Sequence, residues 1–211
     1  NYNFGGDDSL PNVYVATTAI IALALLDWKE LDPRIPAALA RADRYLKEES
    51  NLAWDDDDEI PWAQAYRLLY FTRIKDRERA QQLVVALGKL QLRNGIFAHE
   101  GYPNPFLTST VLQALWEAKQ LGVEVSDSIV KRAVEALKKC RSKKGVYSYQ
   151  YPSRNTEIEG SAGRMPHCEL ALLLWGAATN DSLKAAVASS FQYHDLLEKV
   201  RKYDDHADGY A

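Results

Sequence analysis

Cysteine and methionine are scarce in this chain, with two Cys (Cys140 and Cys168) and one Met among 211 residues. Two thiols cannot build a disulfide framework or supply all the ligands of a structural thiolate zinc site. Neither sign of charge is in excess. The 26 Lys and Arg face 29 Asp and Glu, a net −3, which leaves no electrostatic footprint for nucleic acid or an acidic membrane surface. Long apolar runs are missing too. The longest, Val13 to Leu26, is interrupted only by Thr17 and Thr18 and is shorter than the roughly 20 residues that cross a bilayer. It reads as a buried helix, with no transmembrane segment. Sustained period-two alternation is absent: Ile96–Phe97–Ala98 and Val146–Tyr147–Ser148–Tyr149 are too short to demand a sheet. The first residue is Asn1 rather than Met, which points to a processed or excised piece whose compartment is not written in its sequence.

What is present is a repeat. At 46% hydrophobic and 26% charged residues the composition is globular, and its apolar residues alternate between two kinds of segment. Pro11 opens Val13 to Trp28, apolar nearly all round, which suits a helix buried on every side. Ala37 to Glu49 follows, with Leu39, Ala42 and Leu46 on one face only. The alternation recurs as Trp62 to Ile74 and Arg77 to Leu92, as Leu107 to Leu121 and Ser126 to Cys140, and as Glu169 to Ala178 and Ser182 to about Tyr203. The spacing predicts an all-α chain of about four helical hairpins, eight helices in all, each a buried inner helix followed by an amphipathic outer one.

The joints between hairpins repeat as well. Leu87, Gln91, Gly95 and Phe97 return as Leu137, Arg141, Gly145 and Tyr147, offset by 50 residues at every position. A degenerate copy, Leu46, Ser50 and Trp54, lacks the glycine. The Leu is the last apolar knob of the outer helix, the Gly supplies a φ > 0 stop, and the aromatic pins the returning chain to the core.

The best copy, LGKLQLRNGIF leading into FLTSTVLQALWEA, resembles the glutamine–tryptophan repeat of the prenyltransferase and squalene/terpene cyclase superfamily. The resemblance covers about three of the four hairpins, with Arg141 standing where Gln is usual. It implies an α/α toroid, inner helices ringed by outer ones, or an open arc of one. Four hairpins are fewer than a closed toroid uses, so the expectation is one repeat domain over residues 1–211, part of a longer chain.

This topology puts the long loops that precede inner helices on one rim, beside helix N-termini whose free N–H groups favour acceptors and anions. Long loops on a rigid scaffold are where function concentrates. The acidic run Asp55 to Glu59 carries five negative charges, leaving +2 for the rest. It fits an N-capping loop, a divalent-cation site, or, with Asp55, Asp57 and Asp58 in an Asp-x-Asp-Asp spacing, the protonating motif that the resemblance to class II cyclases implies. Gly163 to Glu169 opens the last inner helix and offers Arg164, His167, Cys168 and Glu169. The resemblance to protein prenyltransferases makes Cys168, with His206 and Asp208, candidate zinc ligands, although Pro166 stands where that family has its Asp. His99 beside Glu100 is a candidate acid–base pair, and Phe4, Tyr102, Tyr147, Tyr149 and Tyr151 are candidate cleft or core aromatics. Cys140 lies in the basic cluster of Lys138, Lys139, Arg141, Lys143 and Lys144, a setting that lowers a thiol pKa.

Two functions follow. One is a module of this repeat type that binds a small-molecule or protein ligand at the rim, with Arg164, Tyr102 and Tyr149 as contacts. The other is an enzyme of the superfamily, acting by cyclase-like acid catalysis, zinc prenyl transfer or polysaccharide-lyase chemistry, with Asp55, Asp57, Asp58, His99, His167 and Glu169 converging. No cofactor is required by the first; zinc or another divalent cation belongs to the second.

Overall fold

The computed structural model describes residues 10–55, 59–99, 102–149, 158 and 161–195. Their architecture is all-α. The inner helices are α1 (Pro11–Leu26), α3 (Ile60–Arg73), α5 (Pro105–Gln120) and α7 (Met165–Leu174), and the outer ones α2 (Arg34–Lys47), α4 (Arg77–Leu90), α6 (Asp127–Cys140) and α8 (Asn180–Gln192). Each inner helix has a proline in its first turn: Pro11, Pro61, Pro105 and Pro166. Its fixed φ suits a helix start, and its missing N–H has no helical partner there in any case. The last inner helix begins at Met165, earlier than the apolar pattern suggests, because Pro166 sets the start.

Inner helices contact in chain order, α1 with α3, α3 with α5 and α5 with α7, and each outer helix lies against the inner helix before it. The described chain is thus a two-layered row of hairpins. Ala63, Ala65, Leu68 and Phe71 of α3, and Leu107, Val111, Leu112 and Ala114 of α5, are wholly buried; each large one contributes about 1.5–3 kcal/mol of burial. Of the outer helices, α4 buries the stripe Ala80, Leu83, Val84 and Leu87 and α6 the stripe Val130, Ala133, Ala136 and Leu137, while α2 and α8 each bury one residue, Leu46 and Ala186. The first inner helix departs from the expectation of burial on every side. Tyr14 is 53% exposed and Ile21 59%, because α3 covers one flank of α1 while α3 and α5 each have inner neighbours on both flanks.

The joints show why the 50-residue echo exists. Leu92 N–H donates to the Ile96 carbonyl and Gly95 N–H to Leu92; Ser142 and Val146, then Gly145 and Ser142, repeat both bonds. Gly95 (φ +91°) and Gly145 (φ +77°) make the turn. The N–H groups of the buried pegs Phe97 and Tyr147 donate to Thr108 Oγ1 (3.0 Å) and Ser161 Oγ (2.9 Å). In the first joint the expected peg fails: Trp54 is 52% exposed and Leu52 is buried in its place. A 3-10 turn, Glu49–Asn51, replaces the glycine turn. The second joint also folds into a hairpin absent from the sequence reading. Strands β1 (Phe97–His99) and β2 (Tyr102–Asn104) pair antiparallel, Phe97 opposite Asn104 and His99 opposite Tyr102. Three-residue strands are too short for alternation to register in a sequence.

At the opposite rim the ends of three inner helices share one geometry. The N–H groups of Asp76, Val123 and Ala177 reach back to the carbonyls of Phe71, Ala118 and Leu172, the Schellman arrangement that needs a left-handed residue. Lys75 takes that conformation without being glycine, at φ +64°.

Two backbone predictions follow for urea or thermal unfolding. Lys75→Gly stabilises the protein by up to about 1 kcal/mol, since the left-handed region penalises a Cβ by roughly 1–2 kcal/mol and glycine's added freedom returns part of it. Gly95→Ala costs clearly more than Gly145→Ala: a Cβ at 95 meets the Arg132 carbonyl oxygen at 2.5 Å, while one at 145 meets nothing within 4 Å.

Candidate functional site at the rim of the inner helices

The N-terminal ends of α3, α5 and α7 bring together a chain of half-buried rings. Trp62 and Tyr66, one turn apart on α3, stack with centroids 5.9 Å apart. Trp62 also meets Phe106 of α5 at 5.2 Å and the His99 imidazole edge-on at 5.7 Å. Phe106 lies 5.5 Å from Tyr149 of the third joint, and the Arg164 guanidinium stands 5.7 Å above the Tyr149 ring. Asn104 makes this possible. Wholly buried, it caps α5 by accepting from the Phe106 and Leu107 N–H groups, and its amide donates to the Tyr149 carbonyl.

Titratable groups border the rings. His99 Nδ1 lies 3.7 Å from Glu59 Oε1, so the start of α3 supplies one acidic neighbour; Glu100 is outside the described residues. Arg164 has its pKa lowered, chiefly by burial. His167 is held from α5. Gln113 Nε2 donates to the His167 carbonyl (3.1 Å) and to its Nδ1 (3.0 Å). Nε2 therefore carries the proton and donates to Thr110 Oγ1 at 2.8 Å, which in turn donates to the Phe106 carbonyl. Burial raises the Tyr66 pKa, and the nearby Thr110 hydroxyl offsets part of that rise. Burial pulls the His167 pKa below its ordinary value, in keeping with a neutral ring.

No family model, curated protein or solved structure matches the chain.

Of the residues singled out in the sequence, His99, Tyr149, Arg164 and His167 thus belong to one connected network. Glu169 faces elsewhere. It is 1% exposed, and its Oε1 accepts from the Tyr147 hydroxyl (2.7 Å) and from Arg141 Nε (2.6 Å). Its Oε2 has no hydrogen-bond partner among the described residues. Burial, and then that bond to Glu169, raise the Tyr147 pKa. The Arg that replaces Gln in this joint reaches across to an inner helix, while Gln91 donates to Gly95 and Ile129 carbonyls. Asp55 is exposed; Asp57 and Asp58 lie outside the described residues. So do Phe4, Tyr151, His206, Asp208 and the Tyr102 side chain, whose backbone forms part of β2.

Cys168 is wholly buried against Ser109, its thiol donating to Oγ at 3.7 Å, and burial pushes its pKa up to about 12. Cys140 is equally buried, and its thiol also rises to about 12. The expected lowering fails because desolvation outweighs cations that stand beside it only in sequence. Among the described residues no three His, Cys, Asp or Glu side chains form a group able to hold a metal ion. None of the described helices is long and apolar enough to cross a membrane.

The sequence reading missed Trp62, Tyr66, Phe106, Thr110 and Gln113, and it took Glu59 only as the end of the acidic run. Trp62 and Tyr66 carried a legible signal, an aromatic pair at i, i+4 just after a helix-opening proline.

The His167 bonds set a pH response. The unfolded imidazole takes up its proton near pH 6.5 and the folded one only below that, so the unfolded state binds more protons as the pH falls past 6.5. Stability is full above this point and declines below it. Urea midpoints between pH 7 and 5 should fall more steeply for the native chain than for His167→Gln, which cannot titrate.

Proposed function

We propose that this chain is a ligand-binding helical-repeat module, an arc of the α/α-toroid kind, whose site is the aromatic rim at the N-termini of α3, α5 and α7. The observation that carries the reading is the unbroken row Tyr66, Trp62, Phe106, Tyr149, with His99 edge-on at one side and Arg164 over the far ring. Half-buried rings provide flat apolar area at low entropic cost, and a guanidinium at the end of such a row recognises an acceptor or anion. A ligand that suits both has a flat or apolar body and an oxygen-rich head. Sugars and isoprenoids carrying acidic groups are two chemical classes with that outline.

The enzyme reading has less support. His167 and Glu169 are committed to internal hydrogen bonds, and Glu169 serves the third joint instead of the rim.

The test is titration calorimetry of the full chain against acidic oligosaccharides and short isoprenyl phosphates, repeated with Trp62→Ala and Arg164→Gln. One class should bind saturably. Each variant should weaken it by about tenfold or more, the usual scale for a buried aromatic or charged contact, with helical circular dichroism unchanged. Binding of neither class, or binding indifferent to both substitutions, overturns the proposal.

A further inference from the structure

A second concavity lies away from the rim rings. A cavity of about 200 Å³ opens between α3, α4 and the first joint, with Gln64, Arg67 and Phe71 on α3 facing Arg79, Gln82 and Leu83 on α4. Its origin is the degenerate repeat. In the second joint Gln91 spans from its own turn to the Ile129 carbonyl of the next outer helix and also accepts from Arg132. The first joint carries Ser50 in place of that glutamine. Ser50 is too short to bridge and donates to Glu48 at 3.0 Å, while Trp54 stands half-exposed at the cavity instead of plugging it.

The chemistry of the lining is lopsided. Arg67 is 2% exposed. Its Nε donates to the Leu46 carbonyl (2.9 Å), Nη1 to Gln64 (2.9 Å) and Nη2 to Glu49 Oε1 (2.5 Å), so two of its five N–H groups remain. Arg79 lies 5.7 Å over the Phe71 ring and 3.6 Å from Asp76. The Gln64 amide nitrogen and Gln82 add further donors. Against them the described lining residues offer one carboxylate, Glu49, and that side chain is 58% exposed. The buried cation is therefore matched by an acid reaching in from a surface turn. The rest of the wall is apolar and partly flat, from Trp54, Phe71, Leu83 and Ala86.

We propose that this cavity binds a small arylcarboxylate, and that Glu49 is the chain's own occupant of the carboxylate position on Arg67. In the bound state the ligand carboxylate replaces the Glu49 carboxylate on Arg67 and attracts Arg79, and its ring rests against Trp54 and Leu83. The site is separate from the aromatic rim and does not depend on the rim's function.

Benzoate is the probe and benzamide its neutral counterpart, titrated into the full chain by calorimetry and Trp fluorescence. Benzoate should bind with a Kd of about 1 mM, the scale for so few heavy atoms, and benzamide at least about tenfold more weakly, as loss of a charge-assisted bond to arginine requires. Glu49→Gln removes the competing charge while keeping an acceptor for Arg67, so benzoate should bind about tenfold tighter. Arg79→Gln, on a part-exposed helix position that leaves the core intact, should weaken it severalfold. Trp62→Ala at the rim should change nothing. Equal affinity for benzamide, no binding to either the native chain or Glu49→Gln, unchanged affinity in Arg79→Gln, or loss of binding in Trp62→Ala each overturns the proposal.

Discussion

After each of the outer helices α2, α4 and α6 the chain returns to the inner layer, carrying backbone N–H and carbonyl groups between two layers of helices. Buried without partners, such groups cost about 1–3 kcal/mol each. The fold rests on side chains in the inner helices, and at the cap of α5, that meet them. Asn12 of α1 both donates to and accepts from the Ala53 backbone. Arg67 of α3 holds the Leu46 carbonyl, Thr108 of α5 the Phe97 N–H, and Asn104 the Tyr149 carbonyl. These side chains are at most 2% exposed. Their partners lie in a neighbouring joint, so each contact ties one hairpin to another and sets the row's spacing.

The same constraint is met by opposite charge arrangements at the two ends. Toward the first joint the inner helix supplies the cation, Arg67, and the joint supplies Glu49. Toward the third joint the inner helix supplies Glu169 and the joint supplies Arg141. In both pairs the inner-helix member is the buried one. A buried ion pair repays its desolvation only when further hydrogen bonds complete it, and Leu46 with Gln64, or Tyr147, provide them. Titratable residues that looked like candidates for chemistry thus divide into those that hold joints and those placed among the rim rings. Glu169 belongs to the first kind, Arg164 and His99 to the second.

Much of the fold was legible beforehand. Hydrophobic period separated inner from outer helices, and the offset of Leu87, Gln91, Gly95 and Phe97 by 50 residues marked two joints that share the same hydrogen bonds. Less of the site could be read. The expected pairing of His99 with Glu100 falls outside the described residues, and an acid that the sequence did not pair with it, Glu59, stands 3.7 Å from its ring. Cys140 looked activated by neighbouring lysines, yet burial dominates its environment. Trp54 looked like a peg, but the glycine turn that would aim it inward is missing.

The sequence by itself determined the helices, their inner or outer character, the proline starts and the two glycine joints. Those features follow from local preferences of the backbone and from the period at which apolar side chains must recur to share a face. Only the tertiary structure decided which polar groups meet. The partners Glu59 and His99, Arg141 and Glu169, or Asn12 and Ala53 lie on different hairpins. Their meeting is set by how the hairpins stack, and no periodicity within a single helix encodes that distance.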